Sequence, residues 1–210
     1  MKNMMKNTGF TVWLTGLPSS GKSTLSRLLS QTLEEAGFPV VILDGDEVRQ
    51  RLTKGLGFSK VDRDENIRRI AYVSKLLTKV GAVSIVAAIS PFRETRDRAR
   101  TEIGKFVEIF VDCPLQKCMD RDVKGLYAKA CRGEISNFTG VSDPYETPDN
   151  PELIVRTDLE SPESNLKQIL ECLVKLNYIP QYILDQLIAD DLCATEKNTG
   201  REVTTTNWII

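Results

Sequence analysis

The stretch "GLPSSGKST", from Gly16 to Thr24, has the residue types and spacing of a phosphate-binding loop. It matches the pattern G-x-x-x-x-G-K-[ST], with an apolar run before it and a helical pattern after it. In such a loop, backbone N–H groups and the positive end of the helix hold phosphates. Lys22 then reaches the β- and γ-phosphates, and Ser23 binds Mg²⁺. We predict an ATP or GTP site here, the alternative being a plain Gly-Ser turn. Its residues are Gly16, Leu17, Pro18, Ser19, Ser20, Gly21, Lys22, Ser23 and Thr24.

Two carboxylates follow the second apolar run, in "LDGDEVR" from Leu43 to Arg49. Asp44 and Asp46 are two residues apart, at the carboxyl end of a predicted strand. Carboxylates in that position hold Mg²⁺ through water or accept a proton from an acceptor hydroxyl. The alternative is a turn in which Asp46 caps a helix, and the two roles are compatible.

A third stretch combines an aromatic side chain with several arginines. "GLGFSKVDRDENIRR" sets Phe58 in a glycine-flanked loop, ahead of Arg63 and Asn66. This combination suits a ligand that has a flat ring and an anionic group. The alternative is a solvated, charged helix start with Asp62 or Asp64 as its cap.

The stretch "ISPFR" closes the third apolar run, so Ser90 and Arg93 face the same edge as the carboxylates. The alternative is a strand-to-helix turn with Pro91 at the first helical position.

These residues are positioned by short apolar runs that alternate with helical patterns, which predicts an α/β fold. Uniformly apolar strands indicate a parallel sheet with helices on both faces, and ligands bind at the carboxyl ends of such strands. The predicted strands are Phe10–Thr15, Pro39–Leu43, Ala82–Ile89, Phe106–Asp112 and Glu152–Thr157. The predicted helices are Lys22–Ala36, Asp64–Val80, Thr95–Gly104 and Ser161–Leu176.

Three segments lie outside this alternation. Residues 122–151 are rich in Gly, Pro, Asp and Asn and are long for a connection, so we expect a lid. Residues 1–9 form an N-terminal extension, and residues 180–210 form a C-terminal tail of unassigned role. The domain itself is expected to span residues 10–179.

Composition narrows the possible functions. The chain has 210 residues, with 28 Lys and Arg against 29 Asp and Glu, so its charge favours neither nucleic acid nor a membrane as partner. It has no histidine, which excludes Ser-His and Cys-His catalysis. Its five cysteines form no C-x-x-C pair and are expected to be reduced thiols. The start lacks a signal-peptide pattern, and we expect a cytoplasmic protein.

Together these stretches resemble the adenylylsulfate kinase (APS kinase) family, over residues 10–179. The stretch most specific to the family lies in the predicted lid. The matching stretches are "GLPSSGKST", "DGDEVR", "LGFS", "DRDENIRRI", "ISPFR", "RDVKGLY" and "NFTGVSDPYETPDNPEL". Pro18, Ser19 and Val123 depart from the usual family pattern, but no functional group is lost.

The resemblance implies a P-loop kinase that uses ATP and Mg²⁺ to phosphorylate the 3′-hydroxyl of adenosine 5′-phosphosulfate (APS). It also implies a homodimer. The implied catalytic residues are Asp46, Lys22 and Ser90, with Ser23 and Asp46 at the metal. Ser90 corresponds to a position sometimes described as a phosphoserine intermediate, although direct in-line transfer needs none. The implied APS-binding residues are Asp44, Asp46, Arg49, Phe58, Arg63, Asn66, Ile89, Ser90, Lys124, Leu126 and Phe138.

Two other functions remain open on the sequence. The first is a kinase of the same fold that acts on another nucleotide, such as a cytidine diphosphate analogue. The second is a nucleotide-binding regulatory protein without turnover, although Lys22, Ser23 and Asp46 are all present. A GTPase is disfavoured because no N-K-x-D-like guanine motif follows the loop.

Overall fold

Five short strands form one parallel sheet in the order β2-β3-β1-β4-β5. The computed structural model describes residues 9–189. The predicted parallel α/β architecture is confirmed, and strand bounds differ from the prediction by one or two residues at most ends. The strands are β1 (Thr11–Thr15), β2 (Val40–Asp44), β3 (Val83–Ala87), β4 (Phe106–Asp112) and β5 (Leu153–Arg156).

Helices cover both faces of the sheet, because alternate residues of each strand point to opposite sides. On one face, Val12 and Leu14 pack in a core with α1 and α7. On the other, Trp13 and Val86 pack in a core with α3 and α4. The helices are α1 (Lys22–Glu35), α2 (Gly45–Arg51), α3 (Lys60–Lys79), α4 (Arg93–Ile103), α5 (Leu115–Arg121), α6 (Leu126–Cys131) and α7 (Pro162–Lys175).

The strand order decides where the loops meet. β1 is central, with β3 on one side and β4 on the other, and β2 lies beyond β3. The loops that leave β1, β2 and β3 therefore open onto one edge of the sheet. They are the phosphate loop, the start of α2 and the segment around Ser90.

Two short helices, α5 and α6, were not predicted, and a helix at the position of α2 was expected only as the alternative reading of Asp46. Each of the three has six or seven residues, too few for a hydrophobic period to be recognised. The helix α6 lies inside the predicted lid, so residues 122–151 are not a plain loop.

Three helix starts also differ from the expectations. The N-cap of α2 is Asp44 and not Asp46, because the Asp44 side chain accepts from the backbone N–H of Asp46. Ser59 caps α3 in place of Asp62 or Asp64, since its hydroxyl, three positions before Asp62, accepts from the Asp62 amide at 3.2 Å. Pro91 is not at the first helical position, because α4 begins at Arg93.

Helical structure continues beyond residue 179, where the domain was expected to end. Residues 181–189 are helical, and Ile183 and Leu184 are buried in the same core as α1 and α7. The first part of the expected tail therefore belongs to the domain. Residues 1–8 and 190–210 lie outside the described residues.

Two further expectations concern surface and redox chemistry. Within residues 9–189, no helix has both the length and the apolar character that a membrane span requires. Cys113, Cys118, Cys131 and Cys172 are free thiols, as expected. Cys193 lies beyond the described residues.

Candidate active site

A cleft of about 1150 Å³ opens at the edge where the loops after β1, β2 and β3 meet. Every residue that the family resemblance implied for APS binding lines this one cleft, although these residues come from six separate stretches. Most of the phosphate loop lines it as well, namely Pro18, Ser19, Gly21, Lys22, Ser23 and Thr24.

Three residues of the predicted ATP site do not line the cleft. Gly16 and Ser20 are buried, and Leu17 lines a separate, smaller cavity. Gly16 has a φ of 152°, and a Cβ there would lie 2.5 Å from the carbonyl oxygen of Val111 on β4. Glycine is therefore required for the loop to leave the sheet at this point.

Lys22 is buried against its own loop. Its Nζ donates to the carbonyl oxygens of Gly16 at 3.0 Å and Leu17 at 2.6 Å. Burial lowers the pKa of Lys22 to about 8 from 10.5, because desolvation disfavours the ammonium form. An incoming phosphate would supply the negative charge that this site lacks.

Ser23 lies beside Asp44 and not beside the expected Asp46. The Ser23 hydroxyl donates to Oδ2 of Asp44 at 2.7 Å, while Oδ1 of Asp44 accepts from the Asp46 amide at 3.0 Å. A hydroxyl and a carboxylate are the hard oxygen donors that Mg²⁺ prefers, so this pair fits the ion. Among the described residues, no group of three or more acidic, Cys or His side chains is arranged so that it could hold a metal ion by itself. Phosphate and water oxygens would complete the metal's coordination.

Asp46 is turned toward the lid. Its carboxylate forms an ion pair with Nζ of Lys124. Both side chains are mostly exposed, 60% for Asp46 and 58% for Lys124, so solvent screens the pair and little energy is needed to separate it. The lid and the end of β2 are thus joined directly across the cleft.

Phe58 and Arg49 stack at the mouth of the cleft. The guanidinium carbon of Arg49 lies 4.4 Å from the centre of the Phe58 ring, and Nη1 donates to the carbonyl oxygen of Gly57 at 2.9 Å. Phe58 is 51% exposed, and the Arg63 guanidinium carbon lies 5.8 Å from the centre of its ring. Phe138 lies deeper, at 9% exposure, and meets the Tyr127 ring edge-on with centroids 5.0 Å apart.

All three nitrogens of the Arg63 guanidinium have partners within the protein itself. Its Nε donates to the carbonyl oxygen of Phe58 at 2.8 Å, and Nη1 donates to Oγ1 of Thr139 at 2.7 Å. Nη2 bonds to the carbonyl oxygen of Asn137 and lies 3.6 Å from the Asp143 carboxylate. Burial lowers the pKa of Arg63 somewhat. The geometry therefore makes Arg63 a tether between α3 and the lid.

Asn66 and Ser90 are also held by neighbours. Oδ1 of Asn66 accepts from Oγ1 of Thr53 at 2.7 Å. The Ser90 hydroxyl accepts from Nε1 of Trp13 at 3.0 Å, and the residue is 2% exposed with a φ of 46°. Ile89 precedes it, and its carbonyl oxygen accepts from Oγ1 of Thr15. A serine so enclosed is a poor nucleophile toward a bound nucleotide.

Sequence reasoning assigned no residues to the base of the nucleotide donor. The structure brings Arg121 and Thr157 beside the phosphate loop, on the side away from the carboxylates. Arg121 donates to the carbonyl oxygens of Thr157 at 2.5 Å and Ser19 at 3.4 Å. Thr157 donates to the carbonyl oxygen of Ser20 at 2.7 Å. No motif marks Thr157, and its position follows only from the pairing of β4 with β5.

Comparison with known proteins agrees with this geometry. The family model described as adenylylsulphate kinase matches residues 8–156. An adenylyl-sulfate kinase of Microcystis aeruginosa is 56% identical over 179 residues, which cover 85% of this chain and 99% of the relative. The chain belongs to the adenylylsulphate kinase family.

Other family members extend the agreement. An adenylyl-sulfate kinase of a Picosynechococcus species is 57% identical over 175 residues, 83% of this chain and 99% of the relative. A solved structure of the Mycobacterium tuberculosis APS kinase in complex with AMPPNP and APS has a TM-score of 0.76 and 44% identity. It covers 79% of this chain, and this chain matches 98% of it. The family, the kinase activity and the fold are therefore shown.

The pKa of Lys22 leads to a first prediction. ATP phosphates raise that pKa, so ATP binding should take up a fraction of a proton above pH 8 and should weaken as the pH rises through about 8. Calorimetry in buffers of different ionisation enthalpy measures this uptake at pH 8.5.

The control for this measurement is Lys22→Arg, which keeps a positive charge but does not titrate in this range. Its uptake should be near zero. Equal uptake by both proteins would show that another group titrates.

Proposed function

We propose that this chain transfers the γ-phosphoryl group of ATP to the 3′-hydroxyl of APS, giving 3′-phosphoadenosine 5′-phosphosulfate (PAPS) and ADP. One observation carries the proposal: the phosphate loop and all the implied acceptor residues line the same cleft. The reaction activates sulfate for later transfer.

The donor half of the cleft is the phosphate loop with the side occupied by Arg121 and Thr157. Backbone N–H groups of Gly16–Thr24 and the N-terminus of α1 hold the phosphates. Lys22 exchanges the carbonyl oxygens of its own loop for phosphate oxygens. The adenine of ATP lies against Arg121 and Thr157, which already contact the outer part of the loop.

The acceptor half lies between α2, α3 and the lid. The rings of Phe58 and Phe138 enclose the adenine of APS, since both line the cleft and present flat apolar surface. Arg49 provides donors for the phosphosulfate, because only one of its N–H groups has a partner among residues 9–189. Asn66, Ile89 and Leu126 complete the walls. We assign Arg63 to holding the lid closed over the substrate and not to direct charge neutralisation.

Asp46 acts on the 3′-hydroxyl. Its exposed carboxylate lies at the carboxyl end of β2, next to Asp44 and hence to Ser23. When the acceptor enters, Asp46 exchanges Lys124 for the hydroxyl and accepts its proton, while Lys124 is released toward the substrate anion. The screened ion pair allows this exchange at little cost.

Ser23 and Asp44 would hold Mg²⁺, in place of the expected Ser23 and Asp46. When bound, Mg²⁺ neutralises charge that develops on the β- and γ-phosphate oxygens. Asp44 also fixes α2 as its N-cap, so one carboxylate aligns the helix that carries Asp46 with the phosphate loop.

The test of the acceptor compares APS with AMP and with cytidine nucleotides in an ADP-release assay that contains ATP and Mg²⁺. We expect rapid turnover with APS alone. If folded protein binds ATP but turns over only a cytidine nucleotide, then that nucleotide and not APS is the acceptor. Absence of turnover with every nucleotide would favour a regulatory role.

A homodimer in the cytoplasm is also proposed. The dimer rests on the family resemblance, and an APS kinase of Thiobacillus denitrificans with 36% identity is described as hexameric. Light scattering coupled to gel filtration measures the assembly, and a monomer at micromolar concentration would contradict it.

Asp46→Asn should lower turnover at least about a hundredfold, the usual scale for a positioned acid–base group. The amide keeps the shape and cannot accept the proton. The matched control is Asp97→Asn, an exposed carboxylate on α4 far from the cleft, which should retain wild-type turnover. Turnover of Asp46→Asn within threefold of the control would exclude the assigned role.

Ser90→Ala should retain turnover within about tenfold, because direct in-line transfer needs positioning and charge neutralisation and no enzyme nucleophile. Single-turnover kinetics with labelled ATP provide the measurement. A labelled phosphoenzyme in the wild type that the variant lacks, with loss of turnover, would establish Ser90 as an intermediate.

A further inference from the structure

Arg96, on the first turns of α4, is among the most buried charged side chains in residues 9–189. It is 1% exposed. Its guanidinium donates in three directions: Nε to Oε1 of Glu108 at 2.7 Å, Nη1 to the carbonyl oxygen of Ser90 at 2.6 Å, and Nη2 to the carbonyl oxygen of Glu146 at 2.7 Å. These three acceptors come from β4, from the loop after β3 and from the end of the lid.

The contact with Ser90 holds an unusual backbone. Ser90 has a φ of 46°, a region that serine rarely adopts without support. Two bonds supply that support, since Arg96 binds the carbonyl oxygen and Trp13 binds the hydroxyl. This conformation turns Ile89 and Ser90 toward the cleft that they line.

The contact with Glu146 belongs to a larger attachment of the lid. The Glu146 amide donates to the carbonyl oxygen of Pro91 at 2.9 Å, and its carboxylate accepts from the Arg93 amide at 2.8 Å. The neighbouring Tyr145 hydroxyl lies 2.9 Å from Oγ1 of Thr15, the residue just before the phosphate loop. The Tyr145 ring also lies 5.8 Å from the Arg96 guanidinium. The end of the lid is therefore fixed to both the donor and the acceptor sides.

The Glu108 carboxylate has a second cation beside it. Its charge is therefore neutralised without the contacts that Arg96 makes to Ser90 and Glu146. Arg100 approaches the same carboxylate at 3.2 Å and also binds Glu152 at 2.5 Å. Arg100 touches neither Ser90 nor Glu146. The chain thus offers two arginines in one ionic network, of which only Arg96 reaches the cleft wall and the lid.

We infer that Arg96 is a positioning residue for the acceptor, acting through the carbonyl oxygens of Ser90 and Glu146. It sets the wall of the acceptor half and fixes the exit of the lid, so that lid movement is confined to the part that carries Lys124. The inference rests on the proposed function for the identity of the acceptor.

The test compares Arg96→Met with Arg100→Met in steady-state assays with APS and ATP, well below the unfolding temperature of each. Arg96→Met should raise KM for APS about tenfold or more, because displacement of a substrate-contacting wall weakens binding and alignment. KM for ATP should change less than about twofold, since the donor side retains the phosphate loop. Arg100→Met should leave both constants near the wild-type values while lowering the unfolding temperature.

Two results would overturn the inference. One is the same KM for APS in the two variants, and the other is an equal rise of KM for APS and ATP in Arg96→Met. Both would indicate a purely structural role. Wild-type protein without APS turnover would instead refute the proposed function, which keeps the two failures distinct.

If Arg96→Met does not fold, Arg96→Lys keeps the charge beside Glu108 and loses the planar fork, and the same KM separation is expected. Hydrogen exchange on the wild type adds a measurement free of mutation. The Glu146 amide should be protected with and without AMPPNP, because it donates to the carbonyl oxygen of Pro91. Exchange at the rate of an unstructured peptide in the unliganded protein would contradict the fixed lid exit.

Discussion

The site depends on the burial of β1 at the centre of the sheet. Each of its five residues is buried, and the strand is bonded on both sides, to β3 and to β4. Gly16, which follows it, passes so close to the Val111 carbonyl oxygen that no side chain fits. The phosphate loop is therefore held to the sheet by close backbone packing. The carboxyl ends of β2 and β3 are aligned with it by the same pairing.

Charge is arranged around this loop with few neutralising partners. Lys22 is desolvated by its surroundings and is held by backbone carbonyl oxygens, which carry no full negative charge. This ammonium group favours an anionic ligand, because a phosphate that takes the place of the carbonyl oxygens brings a full negative charge. On the acceptor side, Ser23 and Asp44 join the two loops by a hydrogen bond. The proposed donor and acceptor halves are thus joined by one short contact between side chains.

Among the basic residues that hold the lid, Lys124, Arg63 and Arg96 differ in exposure. Lys124 meets Asp46 in solvent, where an ion pair contributes little. Arg63 and Arg96 are buried and donate to backbone carbonyl oxygens, where removal of the donor leaves unpaired groups. The contact that is easily broken, between Lys124 and Asp46, therefore lies at the cleft. The contacts that are costly to break hold residues 137–143 and the end of the lid.

The sequence by itself determined the class of fold and the donor site, because both depend on local patterns. These patterns are recognised without any distant residue. They are the apolar runs of strand length and the motif from Gly16 to Thr24 with its glycines. The residues proposed for the acceptor were named by resemblance to a family and not by spacing, and all of them line the cleft.

Only the tertiary structure decided how those residues are used. In it, Ser23 donates to Asp44, Asp46 pairs with Lys124, and Arg63 donates to Thr139 of the lid. It also placed Ile183 and Leu184 in the core and joined Arg96 to Ser90 and Glu146. Each of these contacts links residues far apart in the chain, or depends on which face of a helix is turned inward. Hydrophobic period and motif spacing carry no information on such contacts, because they describe neighbours along the chain and not neighbours across the sheet.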